Sequence, residues 1–178
     1  MAMHETFQRL KQIEKVSLER AKEMPSADGA TDEWIGIGFT IKGKEWLPKR
    51  GEVTDIVDPR PYPSIQAAKP WVIGIANVRG GLLPLMDLTG FITGEPTKNR
   101  SSGRVMVVNH NGLLTGLLVQ EVHGMRHFLP SEQTYELPEI SNNLKPYIKQ
   151  AFQKDNDYWA VFSMHALVKD DRFLQASL

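Results

Sequence analysis

Residues 72–88 read Val-Ile-Gly-Ile-Ala-Asn-Val-Arg-Gly-Gly-Leu-Leu-Pro-Leu-Met-Asp-Leu. Two runs rich in Val, Ile and Leu, Val72–Val78 and Leu82–Leu88, flank the insert Arg79-Gly80-Gly81. Such residues suit a pleated, half-buried surface, so the stretch predicts a β-ribbon turned at its middle. Consecutive glycines permit φ > 0 and let another chain approach closely. Arg79 sits at the rim of this apolar ribbon with no nucleophile or metal-ligand cluster beside it in sequence. On residue type alone it reads equally as an interface anchor and as a surface residue in a hairpin turn.

Working outward, short strands with turn signals continue in both directions. Trp34–Lys42 alternates, with Ile35, Ile37, Phe39 and Ile41 on one face, and is followed by a turn at Gly43-Lys44 and return strands at 45–47 and 52–57. Residues 58–70 carry Pro59, Pro61, Pro63 and Pro70 without periodicity, which predicts a surface loop. Residues 89–94 cap the ribbon. Arg104–Val108 and Leu113–Val122 read as a hairpin turned at Asn109-His110-Asn111-Gly112. Residues 124–139 read as irregular β and loop, Tyr147–Gln153 and Tyr158–Met164 as a last hairpin, and His165–Ala176 as a short C-terminal helix. The pattern predicts an all-β barrel or a pair of barrels.

Before this β-rich part, residues 5–24 place Phe7, Leu10, Ile13, Leu18, Ala21 and Met24 on one face of a helix, and Pro25–Ala30 reads as a linker. The expected organisation is a helical extension at 1–33 and a β-domain at 34–178. The extension either packs back on the β-domain or docks a partner.

Composition narrows the function. In 178 residues, 41% are hydrophobic, enough for a core, and 21 basic residues balance 21 acidic ones. That balance gives no electrostatic footprint for nucleic acid or an anionic membrane. The absence of Cys removes disulfides and thiolate metal sites. No apolar run approaches the ~20 residues of a membrane span, and Met1–Lys15 has no signal-peptide core, so a cytoplasmic protein is expected.

Candidate chemistry is sparse. His123 and His127 would align on a helix, but in a β context residues four apart lie about 13 Å apart along the strand. With His4, His110 and His165 elsewhere, no third ligand falls in register, and surface or interface histidines are expected. Ser101-Ser102-Gly103 and Asp170-Asp171 lack a base–nucleophile spacing. Gly36-Ile37-Gly38 lacks the third Gly and following helix of a dinucleotide site. Trp34, Trp46, Trp71 and Trp159 have apolar neighbours, which favours packing over base stacking. No enzyme, metal or cofactor is expected. A nucleic-acid-binding or regulatory enzyme domain on the same barrel is the alternative.

Gly74-Ile75-Ala76-Asn77-Val78-Arg79-Gly80 followed by Leu83-Pro84-Leu85-Met86-Asp87-Leu88 resembles the CheW family of chemosensory adaptors, whose pattern is Gly, an apolar pair, Asn-Leu-Arg-Gly, then apolar-Pro-apolar-apolar-Asp-Leu. Gly116–Val122 and Tyr147-Ile148 match later family segments, and the resemblance runs from about Trp34 to Val168. It implies a mainly β fold of two intertwined, five-stranded SH3-like barrels, here with an N-terminal helix and a short C-terminal helix. It also implies a non-enzymatic scaffold that bridges the cytoplasmic tip of a methyl-accepting receptor and the regulatory domain of a CheA-type histidine kinase at membrane receptor arrays, without nucleic acid or membrane insertion.

Matched residue by residue, the motif places receptor contacts at Val53, Asp55, Gly74, Asn77, Val78, Arg79 and Gly80. It assigns none to the kinase side. Lys49 and Arg50 stand where the family is less charged and would tune partner choice. Val78 replaces Leu, Thr89 replaces Arg, Gln120 replaces Asp, Gln150 replaces Gly, and Phe162-Ser163 replaces Leu-Asp. Together with the helical extension, these departures resemble the PilI-type adaptors of twitching-motility systems.

Overall fold

Three hairpins turn on the same backbone device. Strands β1 (Trp34–Ile41) and β2 (Lys44–Leu47) are joined by Lys42-Gly43; β4 (Val72–Val78) and β5 (Gly81–Asp87) by Arg79-Gly80; β6 (Arg104–His110) and β7 (Leu113–Val119) by Asn111-Gly112. In each two-residue loop both φ angles are positive, at 48° and 71°, 52° and 84°, and 52° and 83°. That is the mark of the type I′ turn, whose twist matches the twist of the strands it joins. The first turn therefore lies one residue before the expected Gly43-Lys44, and Gly81 belongs to β5 rather than to the turn.

The computed structural model describes residues 33–175 apart from Arg60, Pro138 and Asp155. The chain divides into two units after Glu33, and the second, Trp34–Leu178, holds the whole β-domain. The helix expected at 5–24 lies outside the described residues.

The remaining elements are β3 (Asp55–Val57), helix α1 (Leu88–Thr93), β8 (Glu121–Phe128), β9 (Gln133–Thr134), β10 (Ile148–Lys154), β11 (Asp157–Phe162) and the helices α2 (Met164–Leu167) and α3 (Asp171–Leu174). They form two sheets. One runs β8-β1-β2-β11-β10-β9 and the other β3-β6-β7-β5-β4. The middle of the chain builds the second sheet, and the segments on either side build the first.

Each sheet has two buried faces. The largest cluster contains Phe39, Trp46, Leu88, Met106, Leu117, Tyr147 and Phe162, and so draws on both sheets and the helices. A second cluster, Ile73, Ala76, Leu83, Leu85, Val105, Val107 and Leu118, belongs to the five-stranded sheet. A third, Leu47, Phe128, Phe152 and Trp159, belongs to the six-stranded one.

Neither sheet closes into a barrel, which corrects the expected pair of five-stranded barrels. Both curl strongly. In the five-stranded sheet the edge strands β3 and β4 would lie about 19 Å apart if the sheet were flat. Yet Arg79 beyond β4 reaches Asp55 in β3 at 2.9 Å. Among the described residues no ladder joins these edges. β3 is three residues long, and the segment beyond it carries Pro59, Pro61 and Pro63, which have no N–H to donate to a ladder. In the six-stranded sheet Phe128 and Phe152 stack at 4.8 Å across the curl, but the outermost strand, β9, is only two residues long. Residues 121–128, read in part as irregular, form β8, whose register shifts opposite Gly38/Phe39 beside Gly124 at φ 78°.

The expected C-terminal helix is two short helices. Asp170 starts the second by accepting a hydrogen bond from the Arg172 backbone N–H at 2.8 Å. Its carboxylate also accepts from the buried Tyr147 hydroxyl at 2.5 Å and from Arg172 Nη2 at 2.7 Å. Arg172 holds the Asp170 carboxyl well below the usual carboxylate range, with Tyr147 assisting. Burial and then Asp170 push the Tyr147 phenol up to about 12.

A raised phenol contributes stability that is complete below its unfolded value of about 10 and is lost as pH rises through the folded value. The depressed carboxyl contributes stability above its unfolded value of about 3.9, lost as the solution is acidified. Tyr147→Phe is therefore expected to abolish most of the fall in melting temperature between pH 10 and 12, the window in which the unfolded phenol is deprotonated and the folded one is not. An unchanged alkaline limb would contradict this assignment.

Candidate functional site

Arg79 owes its position to the turn chemistry around it. Asn77 Oδ1 accepts a hydrogen bond from the Gly80 backbone N–H at 3.1 Å, closing the β4–β5 tip. A side chain at Gly80 would meet no atom within 4 Å, so this glycine serves the positive φ and not a close approach. Arg79 itself adopts φ 52°, a conformation that disfavours an ordinary L-residue by roughly 1 kcal/mol. Its side chain is 80% exposed, and its Nη2 lies 2.9 Å from Asp55 Oδ2.

Asp55 is anchored from behind. Its Oδ1 accepts from the Ile56 backbone N–H at 2.9 Å. Just before it, Thr54 donates its backbone N–H and its hydroxyl to the Val107 carbonyl. The preceding turn, Arg50–Glu52, is held by Glu52, which accepts from the Met164 backbone N–H at 2.8 Å and the Ser163 hydroxyl at 3.1 Å. A distant helix start thus fixes the approach to β3.

The structure brings together five of the seven residues matched to the family's receptor contacts. Asp55 and Arg79 touch, Asn77 and Gly80 shape the tip, and Val78 packs half-buried on the core of the five-stranded sheet. Val53 packs against the larger core just before β3.

Gly74 is different. It is buried at φ 154°, and a Cβ there would stand 2.5 Å from the Pro63 carbonyl oxygen and 2.7 Å from the Tyr62 ring. The close approach that its sequence context suggests comes from this chain's own 58–70 loop. Gly74→Val is accordingly expected to cost about 2 kcal/mol or more through overpacking and backbone strain. Urea unfolding checks this; an unchanged midpoint would show that the loop lifts off freely.

Sequence reasoning passed over the exposed aliphatics around the hairpin tips. Leu82 is 73% exposed, the most of any described aliphatic of its size, and Leu113, Leu114 and Ile56 are also exposed. The available signal was position: Leu82 and Leu113 flank glycine turns, where strands run past the end of the core. Lys49 and Arg50 are exposed as well.

Among the described residues no three His, Cys, Asp or Glu side chains gather in a metal-binding group. His123 Nε2 pairs with the Thr40 hydroxyl at 2.6 Å. His110 and His165, far apart in sequence, bring their rings to 4.6 Å, with His165 Nδ1 3.6 Å from Glu52. Burial, Lys169 and His165 together lower the His110 pKa.

The fold and this Arg-bearing tip coincide with a family match. Residues 36–172 match the CheW-like domain, and the chain belongs to the CheW-like family of non-catalytic chemosensory scaffold domains. It is 38% identical over 172 residues to the protein PilI of Pseudomonas aeruginosa, covering 97% of this chain and 96% of that one. It is 28% identical over 86 residues to the chemotaxis protein CheW of Helicobacter pylori, covering 48% of this chain and 52% of that one. The crystal structure of the scaffolding protein TtCheW from Thermoanaerobacter tengcongensis shares the fold, with a TM-score of 0.66 at 18% identity over 78% of this chain and 94% of that one. No helix among the described residues is long and apolar enough to cross a membrane.

Proposed function

We propose that this chain is a cytoplasmic adaptor that couples the tip of a methyl-accepting receptor to the regulatory domain of a CheA-type histidine kinase, in the signalling that governs type IV pilus twitching motility. The receptor contact is the face around the β4–β5 tip: Arg79 as polar anchor, Asp55 as its brace, and Val53, Asn77, Val78 and Gly80 around them. Gly74 supports this face from beneath by seating the 58–70 loop.

The observation that carries the reading is Arg79 itself. It is a mostly exposed guanidinium held at a positive φ, three residues from a mostly exposed Leu. Asn at that position would suit the turn better, as Asn111 does in the neighbouring hairpin. A residue kept against its local backbone preference, beside exposed apolar surface, fits a binding role. The subtype rests on identity along nearly the whole chain to PilI.

A receptor tip is a helical hairpin, and a helix laid against this face would combine apolar contacts at Leu82 and Val78 with a carboxylate on Arg79. The tagged full chain is expected to co-purify a methyl-accepting receptor and a multi-domain histidine kinase from cell extract. Recovery of neither would overturn the proposal.

A further inference from the structure

Glu52 ties the approach to β3 to a segment 111 and 112 residues further on. Its side chain is only 15% exposed. Both carboxylate oxygens are engaged: Oε2 accepts from the backbone N–H of the buried Met164, and Oε1 from the Ser163 hydroxyl. The far end of this clamp is itself well held. Ser163 Oγ accepts from the Ala166 backbone N–H at 3.1 Å, and the Ser163 backbone N–H donates to the Tyr147 carbonyl at 2.8 Å. His165 Nδ1 lies 3.6 Å from Glu52 Oε1, and its ring lies against His110.

The near end of the clamp leads straight to the receptor face. The Glu52 backbone N–H donates to the Lys49 carbonyl at 2.9 Å, closing the 50–52 turn. Val53 then packs on the larger core, Thr54 is bonded to Val107, and Asp55 follows, so little slack separates Glu52 from Asp55. β3 has few means of holding itself in place. It is three residues long, pairs only with β6, and leads into a proline-rich segment. Asp55 is also the only carboxylate paired with Arg79 among the described residues. Where the guanidinium stands therefore depends on where the start of β3 is held.

We propose that Glu52 is a positioning residue for the receptor contact: by clamping the 50–52 turn to the start of α2, it sets where Asp55 holds Arg79. The proposal rests on the adaptor reading above. Glu52 acts through Asp55 and does not touch the receptor. Coupling is reciprocal, so a receptor tip bound at Arg79 also tightens the start of α2.

The test measures affinity of the immobilised full chain for a receptor cytoplasmic tip. Glu52→Gln keeps the shape but offers one acceptor oxygen where two donors converge. It should weaken binding about five-fold, as expected for members of one network. In an Arg79→Ala background the same change should weaken binding no further. In the free chain it should speed hydrogen exchange of the Thr54 and Ile56 amides, and the bound tip should slow exchange of the Met164 amide in the unsubstituted chain. If Glu52→Gln does not fold, Glu52→Asp, whose carboxylate falls one methylene short, is judged by the same results. Failure of the unsubstituted chain to bind the tip would count against the adaptor reading itself. Given that binding, the proposal is overturned if the variant binds as tightly, if the loss is the same with and without Arg79, as a merely structural role requires, or if Thr54 and Ile56 exchange is unchanged.

Discussion

Asp87→Ala is expected to destabilise the fold by about 3–5 kcal/mol, the range for removing one member of a buried charged network. Asp87 is fully buried at the junction of β5 and α1. Its Oδ1 accepts from the Gly90 backbone N–H at 2.9 Å, which caps α1, and from the Thr97 hydroxyl at 2.8 Å. Its Oδ2 accepts from the Thr97 backbone N–H at 2.7 Å and lies 3.7 Å from Arg100 Nε. Alanine leaves the buried Gly90 amide and the half-buried Thr97 amide and hydroxyl without this acceptor, at about 1–3 kcal/mol for a fully buried group and less where water reaches. It also strips the cap from a six-residue helix that has little intrinsic stability. Equilibrium denaturation measures the loss. A change below about 1 kcal/mol would mean that water replaces the carboxylate and that this part of the motif is not structural.

The second large effect is on binding. Arg79→Ala should weaken capture of the receptor tip by about 30-fold, some 2 kcal/mol, as truncation of an interface Arg commonly does. Stability should hardly move. The Arg79–Asp55 pair is exposed on the arginine side, and such pairs contribute less than about 1 kcal/mol. Arg79→Lys keeps the charge but not the planar fork, so it should restore only part of the affinity. Arg79→Asn separates the two roles of the position: it favours the turn, raising stability by up to about 1 kcal/mol, while binding is still lost. A large fall in stability for Arg79→Ala would instead make the arginine an internal brace across the curled sheet.

What was legible in the sequence was mostly local. The ribbon at 72–88 and the hairpin at 104–119 followed from β-branched runs and glycine turns, whose chemistry acts over four residues; the strand expected to run on to Val122 ends at Val119, and Glu121 opens β8 in the other sheet. Strand Trp34–Ile41 followed from its alternation, and Ile37, Phe39 and Ile41 are buried as that alternation requires. Closure was not legible, because it depends on whether the two edges of a curled sheet meet with free N–H groups, which no local pattern encodes. Here the prolines after β3 and the brevity of β9 prevent it.

The site was legible in the same uneven way. Arg79 and its glycine were visible as a motif. Its pairing with Asp55 arises only when the sheet curls, and no spacing in the sequence encodes it. Gly74 showed that something approaches closely but not what does, and the answer is Tyr62 and Pro63 of the same chain. The exposed leucines at the tips, Leu82, Leu113 and Leu114, lay in strand-like runs whose later members are mostly core, so composition hid them.

The central claim is that one face, organised by Arg79, holds the receptor and leaves the kinase contact elsewhere. The most direct test immobilises the full chain and its Arg79→Ala variant and measures the affinity of each for a receptor cytoplasmic tip and, separately, for the regulatory domain of a CheA-type kinase. The account predicts that the variant loses about 30-fold toward the receptor tip and keeps its affinity for the kinase domain. Equal affinity of both proteins for the receptor tip, or equal loss toward both partners, would contradict it.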